Sequence, residues 1–123
     1  MYKLLAIALG GAIGALARAS ACTITEKHLG ADFPYGTLVV NVTGGFLIGL
    51  IAGMSASMDL PPLVRDAIVI GALGALTTFS TFSLDTLALA ATGSVLHALG
   101  NIAANVVLAL TATAGGLLLG RAL

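Results

Sequence analysis

The sequence predicts an all-α membrane protein of four transmembrane helices, the third broken mid-membrane, and three observations carry that prediction. The chain has 123 residues, 59% of them hydrophobic and only 8% charged, with no net charge. An ordinary soluble domain is about one quarter charged, and five basic plus five acidic side chains cannot cover the surface of a soluble fold of this size. The apolar residues fall into four stretches, each near the roughly 20 residues that a helix needs to cross hydrocarbon. The third stretch is overlong and carries glycines and hydroxyls at its centre. Length allows a single domain, residues 1–123. Neutral charge points to neither nucleic acid nor an acidic surface as a partner. One cysteine, Cys22, allows no intrachain disulfide and suggests no thiol metal cluster.

The first span is expected over residues 4–24. Lys3, the apolar run behind it and "ASAC" at 19–22 resemble a secretory signal. Arg18 stands where the apolar region should meet the cleavage site, and more spans follow, so the segment reads as a retained helix. The polar connection "TEKHLGADFPYG" leads to a second span over residues 37–56. "SMDLPP" then separates it from a third, over 63–91. That length is too great for one straight crossing, and Gly71 and Gly74 precede "TTFSTFS" at 77–83. Non-helical backbone at membrane depth persists only where it lines a cavity or is buried in protein, so a break is expected near 74–78. "ATGS" at 91–94 is a tight turn, and the fourth span covers 95–119.

Small residues recur every four positions: Gly10 and Gly14; Gly45, Gly49 and Gly53; Gly116 and Gly120. Such rows let helices approach closely in lipid. Four short helices do not easily enclose a polar path alone, so the rows hint at an oligomer. With four crossings, Lys3, Arg65 and Arg121 share one side, and Lys27 and Arg18 the other. Orientation follows basic residues in short loops, and three against two is almost no bias. A chain so balanced can insert both ways up, and two opposite copies can pair.

Polar side chains in hydrocarbon are costly, which makes each a functional candidate. Asn41 lies mid-helix with Thr37 one turn before it. Each either glues helices together or faces a path. His97, Asn101, Asn105, Ala109 and Thr113 follow at four-residue intervals on the fourth span. Each step drifts by about 40° around the helix, so the row is a slow spiral: an ion-lining track or a set of separate helix contacts. Arg18 either snorkels to the headgroups or sets a positive charge at a pore mouth. Asp85 either pairs with a cation or caps the broken helix. Phe79 and Phe82 share a face. The pair either packs in the core, the default for two phenylalanines, or offers electropositive phenyl edges to an anion path, and the hydroxyl-rich surround, which an apolar seam does not require, weighs toward the path. No metal-spaced His or Cys pair, P-loop or nucleophile triad appears, and no enzyme is expected.

The sequence resembles the Fluc fluoride channels, also called CrcB proteins, along nearly its whole length. "GGAIGALAR" is similar to that family's first-span motif, "YGTLVVNVTGGFLIG" to its second and "GALGALTTFSTFS", the most specific, to its third. The resemblance implies a passive fluoride channel of the prokaryotic inner membrane that relieves fluoride toxicity. It implies an antiparallel, dual-topology homodimer with two pores. Asn41, Phe79 and Phe82 would line the fluoride path, with Ser80 beside them. Asn105 and Thr113 match the fourth-span polar track, and Arg18 matches a vestibule arginine. A structural sodium ion would bridge the two subunits on the backbone carbonyls of Gly74 and Thr77. Ala109 replaces a usual serine and Asp85 a usual glutamate. Two rivals stand beside this reading. A small proton-coupled exporter is one: a drug antiporter would need a carboxylate in the first span, where residues 4–24 hold only Arg18 as a charged side chain, and against a fluoride exchanger stands the resemblance to passive channels. A structural membrane subunit would have little use for the polar row.

Overall fold

The computed structural model describes residues 1–55 and 59–123. Among them the secondary structure is all helical, with no strand. Four helical stretches are long and apolar enough to cross a membrane: Tyr2–Leu29, Tyr35–Met54, Pro62–Ala91 and Val95–Ala122.

Helix α1 spans Tyr2–Leu29 and runs five residues past the expected end at 24. Thr25, Glu26, Lys27 and His28 are polar but are no obstacle to a helix, so polarity alone does not stop it. Gly30 does: it takes φ 85°, and its N–H returns to the Glu26 carbonyl at 3.0 Å. At 28 residues the helix is about 42 Å long, more than the roughly 30 Å of hydrocarbon. The connection to the second span therefore shrinks to residues 30–34. Helix α2 spans Tyr35–Met54. The expected end of that span at 56, and the first residues of the connection after it, lie outside the described residues.

The third stretch is composite. Pro62, whose ring presets a helical φ, opens α3 over Pro62–Asp66. A π-helical segment, Ala67–Leu73, follows, and then one short helix, α4, over Gly74–Leu76. Thr77 (φ −79°, ψ 155°) and Thr78 (φ −153°, ψ 115°) are extended. Helix α5 starts anew at Phe79 and ends at Ala91. Gly74, expected within the interruption, is helical (φ −63°, ψ −33°), so the non-helical backbone is confined to Thr77 and Thr78. The turn into α6, Val95–Ala122, uses Gly93 at φ 82°. There the N–H groups of Gly93 and Ser94 return to Ala90 and Leu89.

Helix α2 packs most extensively on α6, and α1 on the π-helical segment. The glycine rows make these contacts. Gly49 and Gly53 lie against the Thr113 and Leu117 carbonyls of α6, while Gly116 and Gly120 lie against the Phe46 and Leu50 carbonyls of α2. Gly10 and Gly14 meet the Ala67 and Ala72 carbonyls. Rows that hinted at contacts between subunits thus serve packing within one. An ion pair, Lys3 Nζ to Asp66 Oδ2 at 3.0 Å, sets the start of α1 beside α3.

The interior is small and mixed. Val40, Leu73, Phe82 and Ala98 are buried, and so are Thr37, Thr78, Asn101 and Asn105. Most large apolar side chains face outward, as they must where lipid is the solvent.

Candidate functional site

The site is built around the two extended threonines. Continuing the helix would send the Thr78 N–H to the Gly74 carbonyl, but it donates instead to Asn41 Oδ1 at 2.8 Å. Asn41 Nδ2 returns a bond to the Thr78 carbonyl at 3.2 Å. One side-chain amide from α2 therefore pairs both backbone groups of Thr78, as a neighbouring strand would. Backbone polar groups away from water demand such partners.

The hydroxyls of "TTFSTFS" complete the satisfaction. Thr77 Oγ1 donates to the Leu73 carbonyl at 3.0 Å. Thr78 Oγ1 caps α5, accepting from the Thr81 N–H at 3.2 Å and donating to Thr81 Oγ1 at 3.0 Å. Ser80 Oγ lies 3.2 Å from Thr78 Oγ1. Ser83 Oγ donates to the Phe79 carbonyl at 2.8 Å. Five hydroxyls cluster there because a helix ends and restarts within seven residues.

Asn41, Phe79, Phe82 and Asn105 border one open cavity of about 260 Å³, with Thr78 and Ala109 also on its wall. The two rings are 5.3 Å apart between centroids and inclined at 56°. Phe82 is buried, whereas Phe79 is 77% exposed and projects from the chain. The candidate pore residues Asn41, Phe79, Phe82 and Asn105 are thus brought together from three helices.

The others stand apart. Thr113 lies farther along α6; its hydroxyl donates to the Ala109 carbonyl at 2.8 Å and faces Gly45. Ser80 is exposed and is not on the cavity wall. Arg18 is not at the end of its helix, because α1 continues to Leu29. Its Nη1 reaches the Thr77 carbonyl at 3.5 Å, so it turns toward the interruption rather than outward. Asp85 does not cap α5, a role taken by Thr78. It accepts a 2.7 Å bond from Thr37 Oγ1, and both border a second cavity of about 280 Å³. His97 borders a third, near Asp32 and Asp85, with its ring 6.5 Å from that of Phe33.

On α6, Asn101 and Asn105 are both buried, at 0% and 6% exposure. Asn41 Nδ2 donates to Asn105 Oδ1 at 2.9 Å, and Asn105 Nδ2 donates to Asn101 Oδ1 at 2.9 Å. Asn101 Nδ2 then donates to Thr86 Oγ1 at 2.9 Å. Of the two readings of this row, its upper half makes helix-to-helix contacts and Asn105 also reaches the cavity. Thr86 was not foreseen. Its signal is a lone hydroxyl in the apolar run "LDTLALAA", one turn after Phe82.

Residues 5–117 match the family described as CrcB-like protein, Camphor Resistance (CrcB). The fluoride-specific ion channel FluC of Citrifermentans bemidjiense is 48% identical over 124 residues, the whole of both chains. The protein of that name from Geobacter sp. (strain M21) is also 48% identical over the whole of both. That of Methylococcus capsulatus is 50% identical over 122 residues, covering 98% of this chain and 54% of its own.

Proposed function

The chain belongs to the CrcB-like family, and from that premise we propose that it is a passive, fluoride-selective channel of a prokaryotic inner membrane, working as an antiparallel homodimer. Its full-length relatives are named as ion channels, and it is not an enzyme. The observation that carries the reading is the shared cavity: two phenyl rings, the half-buried Asn41 amide and the buried Asn105 amide meet beside the interrupted helix.

Fluoride is small and tightly hydrated, so a path for it must replace lost water with donors. Electropositive ring edges and amide N–H groups do so without a fixed positive charge. That balance suits conduction, where binding must be strong enough to admit the ion and weak enough to release it. Both Asn41 N–H groups are already engaged, at 2.9 Å with Asn105 and 3.2 Å with the Thr78 carbonyl. The longer bond is the one a passing fluoride shares. Ser80 can trade its contact with Thr78 Oγ1 for the ion. Thr113 extends the track along α6, and Arg18 draws anions toward the interruption. Hydrogen fluoride crosses membranes as the neutral acid and dissociates inside, so a passive path relieves the trapped anion.

The reading includes a structural sodium ion at the dimer centre. The Gly74 carbonyl, which loses the Thr78 N–H to Asn41, suits the ion, whereas the Thr77 carbonyl already meets Arg18 Nη1 at 3.5 Å and would be shared with that cation. Gly74 and Thr77 of both copies would hold the ion, which supplies a fixed charge that ties the two interruptions together.

The rival drug exporter requires a membrane-embedded carboxylate on the first helix. The longer α1 takes in Glu26, but only in its last turn. Fluoride efflux from liposomes bearing wild-type protein, Phe79→Ile, Phe82→Ile or Asn41→Ala tests the proposal. Wild type should release fluoride rapidly and retain chloride, and at least two of the variants should be severely slowed while still dimeric. Wild-type liposomes that hold their fluoride, or variants that all conduct normally, would sink it.

A further inference from the structure

Five hydrogen bonds run head to tail through the subunit. The Thr78 N–H donates to Asn41 Oδ1, Asn41 Nδ2 to Asn105 Oδ1, and Asn105 Nδ2 to Asn101 Oδ1. Asn101 Nδ2 then donates to Thr86 Oγ1, and Thr86 Oγ1 to the Phe82 carbonyl at 2.7 Å. The chain leaves the start of α5, crosses α2 and α6, and returns to α5 one turn beyond Phe82. Its two ends are backbone groups that cannot exchange roles: an N–H can only donate and a carbonyl can only accept. Every side chain between them therefore has one permitted orientation.

We propose that Asn101 and Thr86, which are not on the wall of the cavity that holds Asn41 and Asn105, are positioning residues for the ion path. Losing the Thr86 acceptor strands an N–H of the fully buried Asn101. If Asn101 turns over to find another partner, it presents N–H to Asn105 Nδ2, donor against donor. Asn105 then either draws away from Asn101 or turns at the further cost of its 3.1 Å bond to the Asn101 backbone carbonyl; if it turns, Asn41 follows until it faces the Thr78 N–H with its own NH₂. The fault stops only at the interruption, where the rings begin. Chains of aligned hydrogen bonds also polarise one another, so the Asn41 amide is a stronger donor for standing in this one.

This inference rests on the channel reading, and its test separates the two. Thr86→Val keeps the shape and removes the acceptor, whereas Thr86→Ser keeps the hydroxyl. Fluoride efflux is recorded from sparsely loaded liposomes, so that the fraction emptied counts folded channels and the rate of emptying reports each one. Thr86→Val should slow the rate per active liposome by about tenfold, the cost of one stranded buried donor. Thr86→Ser should recover most of it. Asn101→Asp, recorded at a pH where it is ionised and so cannot donate to Thr86, should be slowed like Thr86→Val. A purely structural role would reduce the fraction emptied and leave the rate untouched. That result, a Thr86→Ser as slow as Thr86→Val, or valine and aspartate variants that both fail to assemble, would overturn the positioning claim while wild type still conducts. Wild-type liposomes that retain fluoride would overturn the channel reading, and this inference with it.

Discussion

Asn41 shows how one side chain can make an irregular backbone tolerable. Its amide satisfies both the N–H and the carbonyl of Thr78 while also holding Asn105. Asn41→Asp tests that role at nearly constant size. The carboxylate still accepts from the Thr78 N–H but donates to neither partner, and it places negative charge on an anion path. Fluoride efflux should fall more than in Asn41→Ala, and equal rates for the two would contradict the account. Thr37, one turn earlier, gives Asp85 its 2.7 Å hydrogen bond. Thr37→Val strands a half-buried carboxylate, a loss of about 1–3 kcal/mol. Denaturant titration in detergent should show that loss, and Thr37→Ser should show little of it. The sequence marked Asn41, Phe79, Phe82 and Asn105 because each was costly or oddly placed in apolar surroundings. It left Asp85 and Arg18 ambiguous, since a charge's partner is set by tertiary approach and not by its neighbours in sequence.

At the scale of elements, four helices were legible because apolar length is nearly sufficient to define a span. Their ends were less so. Helix α1 runs on through polar residues to Gly30, where positive φ is required. The π-helical segment Ala67–Leu73 has no signature in hydropathy. It lies where Gly10 and Gly14 bring the backbone of α1 against it, and that closeness is a property of the packed pair. Glycine spacing announced close packing but not between which helices. A side chain at Gly49 would drive into the Thr113 carbonyl, which is backbone and cannot rotate away. Gly49→Val should therefore separate α2 from α6 and shift Asn41 from Asn105. We expect loss of folded protein on size exclusion, whereas Gly100→Ala, in open space on α6, should be tolerated.

At the scale of the whole molecule, the proposed channel calls for a second copy. Phe79 projects outward at 77% exposure although the reading gives it a place on the ion path, and an inverted second copy would enclose it. Inverted pairing requires insertion both ways up. A cysteine probe at Gly93 would disturb a residue held at φ 82°, so Thr92→Cys in a Cys22→Ala background is the better reporter. It should label from both sides of intact cells, and one-sided labelling would defeat the homodimer. The claim that the path is passive and selective for fluoride has a more direct test. Liposomes loaded with potassium fluoride are diluted into fluoride-free medium at equal pH on both sides, with and without a potassium ionophore. A passive channel moves charge, so fluoride should leave rapidly only when the ionophore lets potassium follow, and chloride should stay inside in both cases. Fluoride efflux that ignores the ionophore and instead follows an imposed pH difference would contradict the account and point to proton-coupled exchange.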